Sequence, residues 1–415
     1  MARKMKDSGI EWIGEIPEDW EISKLKYCVK YVAERADRNV NYIGLENVES
    51  WTGRYVKSSI QEADGASLKY DKENVLFGKL RPYLGKCLVT DRAGACSTEF
   101  IVMSPQKVGS HYLQNIILTP NFIDEVNMST YGAKMPRANW SFVGNMVIPI
   151  PDHKEEQAII GMVENINKEF TTATDKLKQS IENYKSLKQS LIARAVTKGV
   201  WGKRDMKDSG IEWVKEIPCE WDSINPKALF KQRKDRAKEG EKQLTASQKY
   251  GVIYQDDYME LTGSSVVLVE KDFSILKHVE AGDFVISMRS FQGGLEYSEN
   301  TGAISSAYVM LIPNKEMVYP PFYKWLFKSS LYINALQSTS DLVRDGQAMR
   351  YSNFAKVRLY SVPINEQREI AAYLDEKCSA IDTLIAKKEQ LLSELETYKK
   401  SLIYEYVTGK REVPA

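Results

Sequence analysis

The octapeptide Met5-Lys-Asp-Ser-Gly-Ile-Glu-Trp12 occurs a second time as Met206-Lys-Asp-Ser-Gly-Ile-Glu-Trp213, 201 positions further along the chain. The match continues at the same shift in two more places: Glu15-Ile-Pro17 with Glu216-Ile-Pro218, and Trp20 with Trp221. A period of this length exceeds the roughly 20–50 residues of solenoid and propeller repeats. The repeat therefore predicts two similar halves, each made of a domain and a connecting segment.

Composition is that of an ordinary globular protein, with 43% hydrophobic and 27% charged residues among 415. The 57 basic and 56 acidic residues nearly cancel. Any contact with nucleic acid must therefore come from a local basic patch, since the molecule as a whole has almost no net field.

Several features favour a cytoplasmic protein. No apolar run approaches the roughly 18 residues of a membrane span, and the first residues lack the apolar segment of a signal peptide. The five cysteines are scattered without a Cys-x-x-Cys pair, which favours reduced thiols and argues against a zinc site. The three histidines are not at metal-ligand spacing, so each is interpreted as a structural or surface residue.

Residues 1–151 and 200–363 both have a mixed α+β texture, in which short apolar runs alternate with Gly and Pro. In the first segment we expect a helix around His111 to Val126 and strands at Val75–Phe77, Lys86–Val89, Phe100–Met103 and Met146–Ile150.

Two long helices are predicted, one within residues 152–199 and one within residues 364–415. Asp152 with Glu155 resembles a capping box, Asn365 is the predicted cap of the second helix, and Gly199 and Gly409 are the expected stops. Both helices carry a narrow apolar stripe at spacings of three and four: Ile159, Val163, Ile166, Phe170, Ala173, Leu177, Ile181, Tyr184, Leu187 and Leu191 in one, and Ile381, Leu384, Lys388, Leu391, Leu395, Tyr398, Leu402 and Tyr406 in the other.

A helix of about 47 residues with one apolar stripe is not stable alone in water and needs a partner along its length. The predicted fold class is therefore α+β: two similar globular domains separated by two long helices packed as an antiparallel coiled coil, with pseudo-twofold symmetry.

Two polar loops in each half are candidate nucleic-acid contacts, because Arg and Lys bind phosphate or guanine, Gln and Asn pair with adenine, and Gly allows close approach. At a shift of 208 positions Arg81 corresponds to Arg289, and at 214 Asn139 corresponds to Asn353. The alternative is that these loops are solvated turns with ordinary charge. The candidate residues are Lys79, Arg81, Tyr83, Lys86, Lys134, Arg137 and Asn139 in the first half, and Arg289, Ser290, Gln292, Arg344, Gln347, Arg350 and Asn353 in the second.

Within these sets, residues that repeat are expected to position phosphates or to brace the fold, as with Arg81 and Arg289. Residues that differ between the halves, such as Lys79 and Lys134, are better candidates for sequence-specific contact. The aromatic framework positions Trp140 and Phe354 are interpreted as core, and Trp12 and Trp213 as packing residues that seat each repeat on the helices.

Catalytic motifs are missing from the sequence. Gly85-Lys86 lacks the other residues of a P-loop. Tyr319-Pro-Pro-Phe322 resembles a methyltransferase element but has Tyr in place of the amide or carboxylate, so the prolines are interpreted as the start of a helix over Phe322 to Phe327. With so few histidines, no nucleophilic triad is suggested, and we expect no catalysis by this chain alone.

The chain resembles the specificity (S) subunits of type I restriction-modification systems. The resemblance is carried by the doubled openings at 5–20 and 206–221, by Phe77-Gly-Lys-Leu-Arg-Pro-Tyr-Leu-Gly-Lys86, by Ser97-Thr-Glu-Phe-Ile-Val-Met103, by Gly132-Ala-Lys-Met-Pro-Arg137 and by the two helices after Pro151 and Pro363. It covers essentially the whole chain, in the order recognition domain, spacer helix, recognition domain, spacer helix.

The resemblance implies a non-catalytic subunit in which each domain reads half of a split, asymmetric site on double-stranded DNA. The helices would set the spacing and bind methylation subunits, two of them, and restriction subunits would join. S-adenosylmethionine, ATP and Mg would belong to those partners. Two other readings stay open: a coiled-coil scaffold with two ligand- or protein-binding domains, and an enzyme with an unrecognised site.

Overall fold

The computed structural model describes residues 3–37, 40–57, 65–130, 135–265, 273–288, 290–339 and 350–414. The chain forms two compact units, one made of residues 1–178 with 389–415 and the other of residues 179–388. Both unit boundaries fall inside long helices, so each unit contains one globular domain and a part of both helices.

The first unit is built from short antiparallel strands: β1 (Met5–Asp7), β2 (Glu15–Pro17), β3 (Glu21–Lys24), β4 (Val29–Val32), β5 (Ser67–Tyr70), β6 (Val75–Gly78), β7 (Cys87–Val89), β8 (Gly94–Ser97), β9 (Phe100–Pro105) and β10 (Val147–Ile150). The central sheet has the order β4-β9-β6-β7, while β1 pairs with β2, β3 with β10 and β5 with β8. Its helices are α1 (Leu25–Cys28), α2 (Ser110–Ile117), α3 (Pro120–Met128), α4 (Trp140–Val143) and the first part of α5 (His153–Lys198), with 3-10 turns at Leu45–Asn47 and Pro82–Leu84.

The second unit repeats this plan with strands β11 (Met206–Asp208), β12 (Glu216–Pro218), β13 (Asp222–Ile224), β14 (Phe230–Arg233), β15 (Leu244–Ser247), β16 (Gly251–Tyr254), β17 (Lys277–Val279), β18 (Phe284–Ile286), β19 (Glu296–Tyr297), β20 (Gly302–Ile304), β21 (Val309–Pro313) and β22 (Leu359–Ser361). Its central sheet has the order β14-β21-β18-β19. Its helices are α6 (Pro226–Leu229), α7 (Gln255–Thr262), α8 (Ser290–Gly293), α9 (Pro320–Lys328), α10 (Ser330–Ser338), α11 (Tyr351–Lys356) and the first part of α12 (Ile364–Val407), with a 3-10 turn at Phe273–Ile275.

The predicted strands of the first half are confirmed by β6, β7, β9 and β10, and the predicted helix at Phe322 by α9. The single helix expected around His111 to Val126 is wrong. Two helices, α2 and α3, lie there instead, and the break falls just before Pro120, which opens the second helix. Proline has no N–H to continue a helix from the preceding turn.

Both long helices are present, with 46 residues in α5 and 44 in α12. Asp152 caps α5 through its side chain, which accepts a hydrogen bond from Glu155 N at 2.9 Å. Asn365 is not the cap of α12, because the helix already begins at Ile364. Gly199 and Gly409 follow the two helices with φ of 74° and 70°, the left-handed conformation that glycine adopts without a steric penalty.

The two long helices pack antiparallel within each unit. In the first unit the rings of Phe170 on α5 and Tyr398 on α12 lie 6.0 Å apart. In the second unit Lys188 Nζ binds the carboxylate of Asp382 at 2.6 Å, and Lys388 Nζ lies 5.6 Å from the ring centre of Tyr184. The predicted coiled coil is thus confirmed, whereas the predicted twofold relation concerns the placement of the two units and stays a prediction.

The predicted apolar stripes are only partly buried. Ile159, Val163 and Ile166 lie in the core of the first unit, where α5 leaves the globular domain. Four other stripe positions are exposed by 41–54%: Leu187, Leu384, Leu391 and Tyr398. A contact between only two helices covers a narrow strip, so stripe residues away from the domains remain at the surface.

A group of polar contacts anchors each repeated segment to the start of a long helix, and we call it the repeat clamp. In the first unit Arg3 binds both Glu155 and Asp19, and Trp20 Nε1 donates to Glu155 Oε2 at 2.7 Å. The guanidinium of Arg3 also lies 5.5 Å from the Trp20 ring centre. The repeat clamp joins the N-terminal hairpin, β1–β2, to the first turn of α5.

The second unit contains the same arrangement. Arg204 binds Glu366 and Glu220, Trp221 Nε1 donates to Glu366 Oε2 at 2.9 Å, and Arg204 lies 5.7 Å from the Trp221 ring centre. Glu155 therefore corresponds to Glu366. An alignment of the two Glu-Gln pairs in the sequence, Glu156-Gln157 with Glu366-Gln367, would differ from this correspondence by one position, because α12 begins one residue after its proline and α5 two.

The last turn of each long helix also packs into the hydrophobic core of a unit. Val407 at the end of α12 is buried in the first unit and Val196 near the end of α5 in the second. The carbonyl of Val407 accepts a hydrogen bond from Tyr112 Oη at 2.9 Å, and that of Val196 from Tyr360 Oη at 2.5 Å. Equivalent carbonyls are thus satisfied by tyrosines from different elements, α2 in one unit and β22 in the other.

Candidate nucleic-acid interface

The two candidate loops of the first unit lie against each other. Leu80 and Arg137 form an isolated antiparallel bridge. Arg81 N donates to Pro136 O, and Ala138 N donates to Lys79 O, both at 2.8 Å. The residues from 79 to 83 and from 135 to 139 therefore form one continuous surface at the end of β6.

Arg81 is presented at the tip of this surface. Its backbone is left-handed, with φ of 52°, and it precedes the 3-10 turn at Pro82. Its side chain is exposed and forms no hydrogen bond or ion pair with the residues that the structure describes. Tyr83 is 46% exposed beside it. A free guanidinium in an exposed turn is well placed to bind a phosphate.

Three other candidates of this loop pair have partners within the fold. Lys86 Nζ donates to Leu45 O at 2.6 Å, which braces the neighbouring turn. Asn139 caps α4 by accepting a hydrogen bond from Ser141 N at 3.0 Å. Arg137 forms a two-pronged ion pair with Glu99, and the carboxylate raises the pKa of Arg137. Contact of these three side chains with DNA stays a prediction.

In the second unit the candidates are more dispersed. Ser290 is buried, and its Oγ accepts a hydrogen bond from Ser287 N at 2.8 Å. Asn353 accepts from Arg350 N at 3.1 Å and donates to Thr339 O at 2.9 Å, so it orders the start of α11. Gln292 and Arg350 are exposed and able to reach a ligand. The remaining candidates, Lys134, Arg289, Arg344 and Gln347, lie outside the described residues.

Of the two aromatic framework positions, only one is core. Phe354 is fully buried in the second unit. Trp140 is only partly buried, and its ring is stacked on exposed Tyr31 with centroids 4.8 Å apart and an angle of 13°. Sequence reasoning missed Tyr31, although its position directly after Lys30 in Lys26-Tyr-Cys-Val-Lys-Tyr31 is a basic and aromatic pattern typical of nucleic-acid contact.

The tryptophans of the octapeptides pack as predicted, although they do so differently. Trp12 is buried against Phe122, and its carbonyl accepts a hydrogen bond from Tyr404 Oη of α12 at 2.8 Å. Trp213 packs on Tyr332 and Tyr360 and donates to Arg358 O at 2.9 Å. Among the described contacts of these two residues, only those of Trp12 include a hydrogen bond to a long helix, so the predicted seating on the helices is confirmed for Trp12 and stays a prediction for Trp213.

A pocket lies beside the long helices in the first unit, with a volume of about 440 Å³ and a lining that includes Trp51, Lys399 and Lys400. Lys400 Nζ lies 3.9 Å from the Trp51 ring centre. Burial, together with the charge of Arg54, lowers the pKa of Lys399. The second unit has a pocket of about 340 Å³ lined in part by Tyr250, Trp325 and Lys328.

Within the described part of the chain, no group of three His, Cys, Asp or Glu side chains is placed to hold a metal ion. The cysteines are unpaired, and burial raises the pKa of the Cys96 thiol to about 12. His278 is buried and its Nδ1 lies 2.8 Å from Glu241 Oε1, as expected for a structural histidine. None of the described helices has the length and apolar content of a membrane span.

Together these features define a class: two domains of one architecture, each joined by a repeat clamp to the first turn of a long helix and closed by the end of the other long helix. A scan of protein-family models finds no match to the sequence. Curated relatives and solved structures do match.

The type I restriction enzyme EcoDI specificity subunit of Escherichia coli is 24% identical over 193 residues, which are 43% of this chain and 42% of that one. The match to this relative thus spans less than half of its length. The putative type I restriction enzyme MjaX specificity subunit of Methanocaldococcus jannaschii is 23% identical over an alignment of 437 positions, which covers 97% of this chain and 96% of that one.

Among solved structures, a chain from a structure on complex assembly and conformational transition of the type I R-M system superimposes with a TM-score of 0.74 at 17% identity, covering 95% of this chain and 99% of that one. The HsdS subunit from Thermoanaerobacter tengcongensis gives 0.53 at 16% identity, with coverage of 95% and 98%. The predicted resemblance to type I specificity subunits is confirmed, and so is the predicted fold class as far as it gives an α+β chain with two domains and a coiled coil.

Proposed function

We propose that this chain is the non-catalytic subunit that gives a type I restriction-modification complex its DNA sequence specificity. The observation that carries the proposal is the internal duplication. Both units share the central sheet, the repeat clamp and the buried helix end, whereas the exposed loops at equivalent places differ. Two domains with one framework and different surfaces suit the reading of two different half-sites.

The surface of the first unit supports a role in DNA contact. Its two candidate loops are joined by the Leu80–Arg137 bridge, and they present Arg81 and Tyr83 to solvent. Because the net charge is only +1, such local patches must supply the attraction for phosphate. In the candidate loops of the second unit, Gln292 and Arg350 are exposed.

In this proposal, the long helices fix the distance between the half-sites and bind the partner subunits. The exposed side chains of Leu391 and Tyr398 on α12 offer apolar contact area for such binding. Two methylation subunits and the restriction subunits carry the chemistry, with S-adenosylmethionine, ATP and Mg. This chain recognises the target sequence on the DNA.

The test is to express the chain together with its methylation subunit and to map the methylated adenines, then to measure binding to duplexes with and without the mapped site. We expect methylation at one split, asymmetric sequence and tighter binding to it. Binding without sequence preference would contradict the proposal. Methylation by this chain alone, with methyl donor supplied, would instead identify it as an enzyme.

The role of the helices has its own test. Inserting four residues near Leu177 lengthens α5 by about one turn, roughly 6 Å. We expect the tolerated spacer between the half-sites to change while both half-sites keep their sequence. A variant that recognises different half-sites would show that the helices do not act as the spacer.

A further inference from the structure

One part of the surface distinguishes the first unit from the second. Tyr27, Tyr31, Trp140 and Phe142 lie on α1, β4 and α4 and are wholly or partly exposed. We call these four side chains the aromatic face. Tyr31 and Trp140 are stacked at 4.8 Å, and Lys26 N donates to Gly144 O at 2.8 Å, which holds α1 against the end of α4.

The aromatic face continues the surface formed by the two candidate loops. Trp140 directly follows Asn139, and Ala138 N is bonded to Lys79 O. From Arg81 through Arg137 to Trp140 and Tyr31, each step is made by a backbone bond, a bridge or a ring stack. A molecule bound along the loops would therefore meet the aromatic face next.

Exposed lysines neighbour Tyr27 and Tyr31 along the chain. Lys24, Lys26 and Lys30 are all exposed, and Lys26 Nζ lies 5.2 Å from the Tyr27 ring centre. Cations beside aromatic rings suit a polyanion with apolar edges, namely nucleic acid, better than they suit an apolar protein surface. Charge complementarity and continuity with the loops both point to DNA.

The second unit provides an internal comparison. At the shift of 201 positions two of the three lysines are kept, since Lys227 and Lys231 stand at the places of Lys26 and Lys30 and are also exposed, whereas Asn225 stands at the place of Lys24. Three of the four rings are not kept, and the fourth is buried. In the second unit the four aromatic positions are occupied by Ala228, Gln232, buried Phe354 and Lys356.

We infer that the aromatic face is a specificity-determining contact of the first unit, resting on the proposed function in DNA recognition. The shared lysines hold phosphates in both units. The rings of Tyr27 and Tyr31 contact apolar base edges, such as thymine methyl groups, in one half-site only.

The test uses the full chain in complex with its methylation subunits and three duplexes: the mapped site, and the same DNA with either half-site replaced. Each replacement gives a discrimination ratio, the affinity for the full site divided by that for the altered one. Tyr27→Ala combined with Tyr31→Gln installs the residues of the second unit. We expect one ratio to fall about tenfold, the scale of one mismatched base pair, and the other to stay unchanged.

Tyr27→Phe combined with Tyr31→Phe is the matched control, because it keeps the rings and should keep both ratios. Two unchanged ratios in the Ala/Gln variant would overturn the inference, whether or not overall affinity falls. So would loss of a methylation subunit from the purified complex with both ratios intact, which would assign the face to a protein contact. If the unaltered complex shows both ratios near one, the proposed function itself fails.

Discussion

The two units are stabilised by the same buried contacts, whereas the residues that they expose to solvent differ. The repeat clamp is the same in both, down to the indole that donates to a glutamate at the start of a long helix. The exposed positions of α1 and α6 differ, with Tyr27 in one and Ala228 in the other. Buried polar contacts tolerate few substitutions because a lost partner leaves an unsatisfied group, whereas exposed positions are free to vary.

The largest expected effect comes from breaking one repeat clamp. In Glu366→Ala, Arg204 and Trp221 lose a common acceptor in a site where the side chain of Glu366 is only 10% exposed. We expect a loss of about 3 kcal/mol in the free energy of unfolding, because the buried indole N–H of Trp221 is left without an acceptor and Arg204 keeps only Glu220 of its two carboxylate partners. Denaturant unfolding with hydrogen exchange measures it, and Glu369→Ala, on the exposed side of α12, is the control.

The same change in the first unit sharpens the comparison. The side chain of Glu155 is 19% exposed, so water can partly replace it. Glu155→Ala should therefore destabilise its unit less than Glu366→Ala does. An equal or greater loss would mean that burial does not set the strength of the repeat clamp.

Arg81 tests whether contacts to phosphates and contacts to bases are made by different residues. Arg81→Ala should weaken binding to all DNA by up to about tenfold and reduce the salt dependence of binding by about one phosphate contact. Both half-site discrimination ratios should remain, as measured in titrations at several salt concentrations. A selective loss of one ratio would make Arg81 a base-reading residue instead.

The two tyrosines at the helix ends offer a matched pair of smaller effects. Tyr360→Phe and Tyr112→Phe each remove a hydrogen bond to a buried carbonyl, at Val196 and Val407 respectively. We expect about 1 kcal/mol of lost stability for each, read from denaturant midpoints. No loss from either variant would show that the carbonyl finds another donor.

The smallest effect concerns pH. Glu156 is buried and accepts a hydrogen bond from Gly109 N, and its counterpart Gln367 accepts from Tyr319 N. Burial raises the pKa of Glu156 above its ordinary value near 4.5. The folded state therefore holds the proton more tightly, so the contribution of this carboxyl group to stability is fully present below about pH 4.5 and is lost as pH rises through the raised pKa.

Glu156→Gln should remove this dependence and leave the first unit slightly more stable at neutral pH. The measurement is unfolding of both proteins at a series of pH values, and they should converge under acid conditions. If the Glu156→Gln variant keeps the same dependence of stability on pH, another titrating group must cause that dependence.

Much of the fold could be predicted because it depends on local pattern. The glycine stops, the Asp152 cap and the prolines that open α9 act over a few residues, whereas the break at Pro120 was overlooked and the predicted Asn365 cap was wrong. The candidate site was harder. Lys86, Asn139, Ser290 and Asn353 look like free polar residues in the sequence, but each has a hydrogen-bond partner in the fold: a local one for Asn139 and Ser290, and a more distant one for Lys86 and Asn353.

By itself, the sequence determined that the protein has two equivalent halves, two long helices and a framework separate from its variable loops, because repeats and helical periodicity are properties of the linear chain. Only the tertiary structure decided that Glu155 and Glu366 are equivalent, that the two loops of the first unit meet at Leu80 and Arg137, and that Tyr31 lies on Trp140. These contacts join residues far apart in the chain, and sequence spacing does not encode which of many possible partners packing will select.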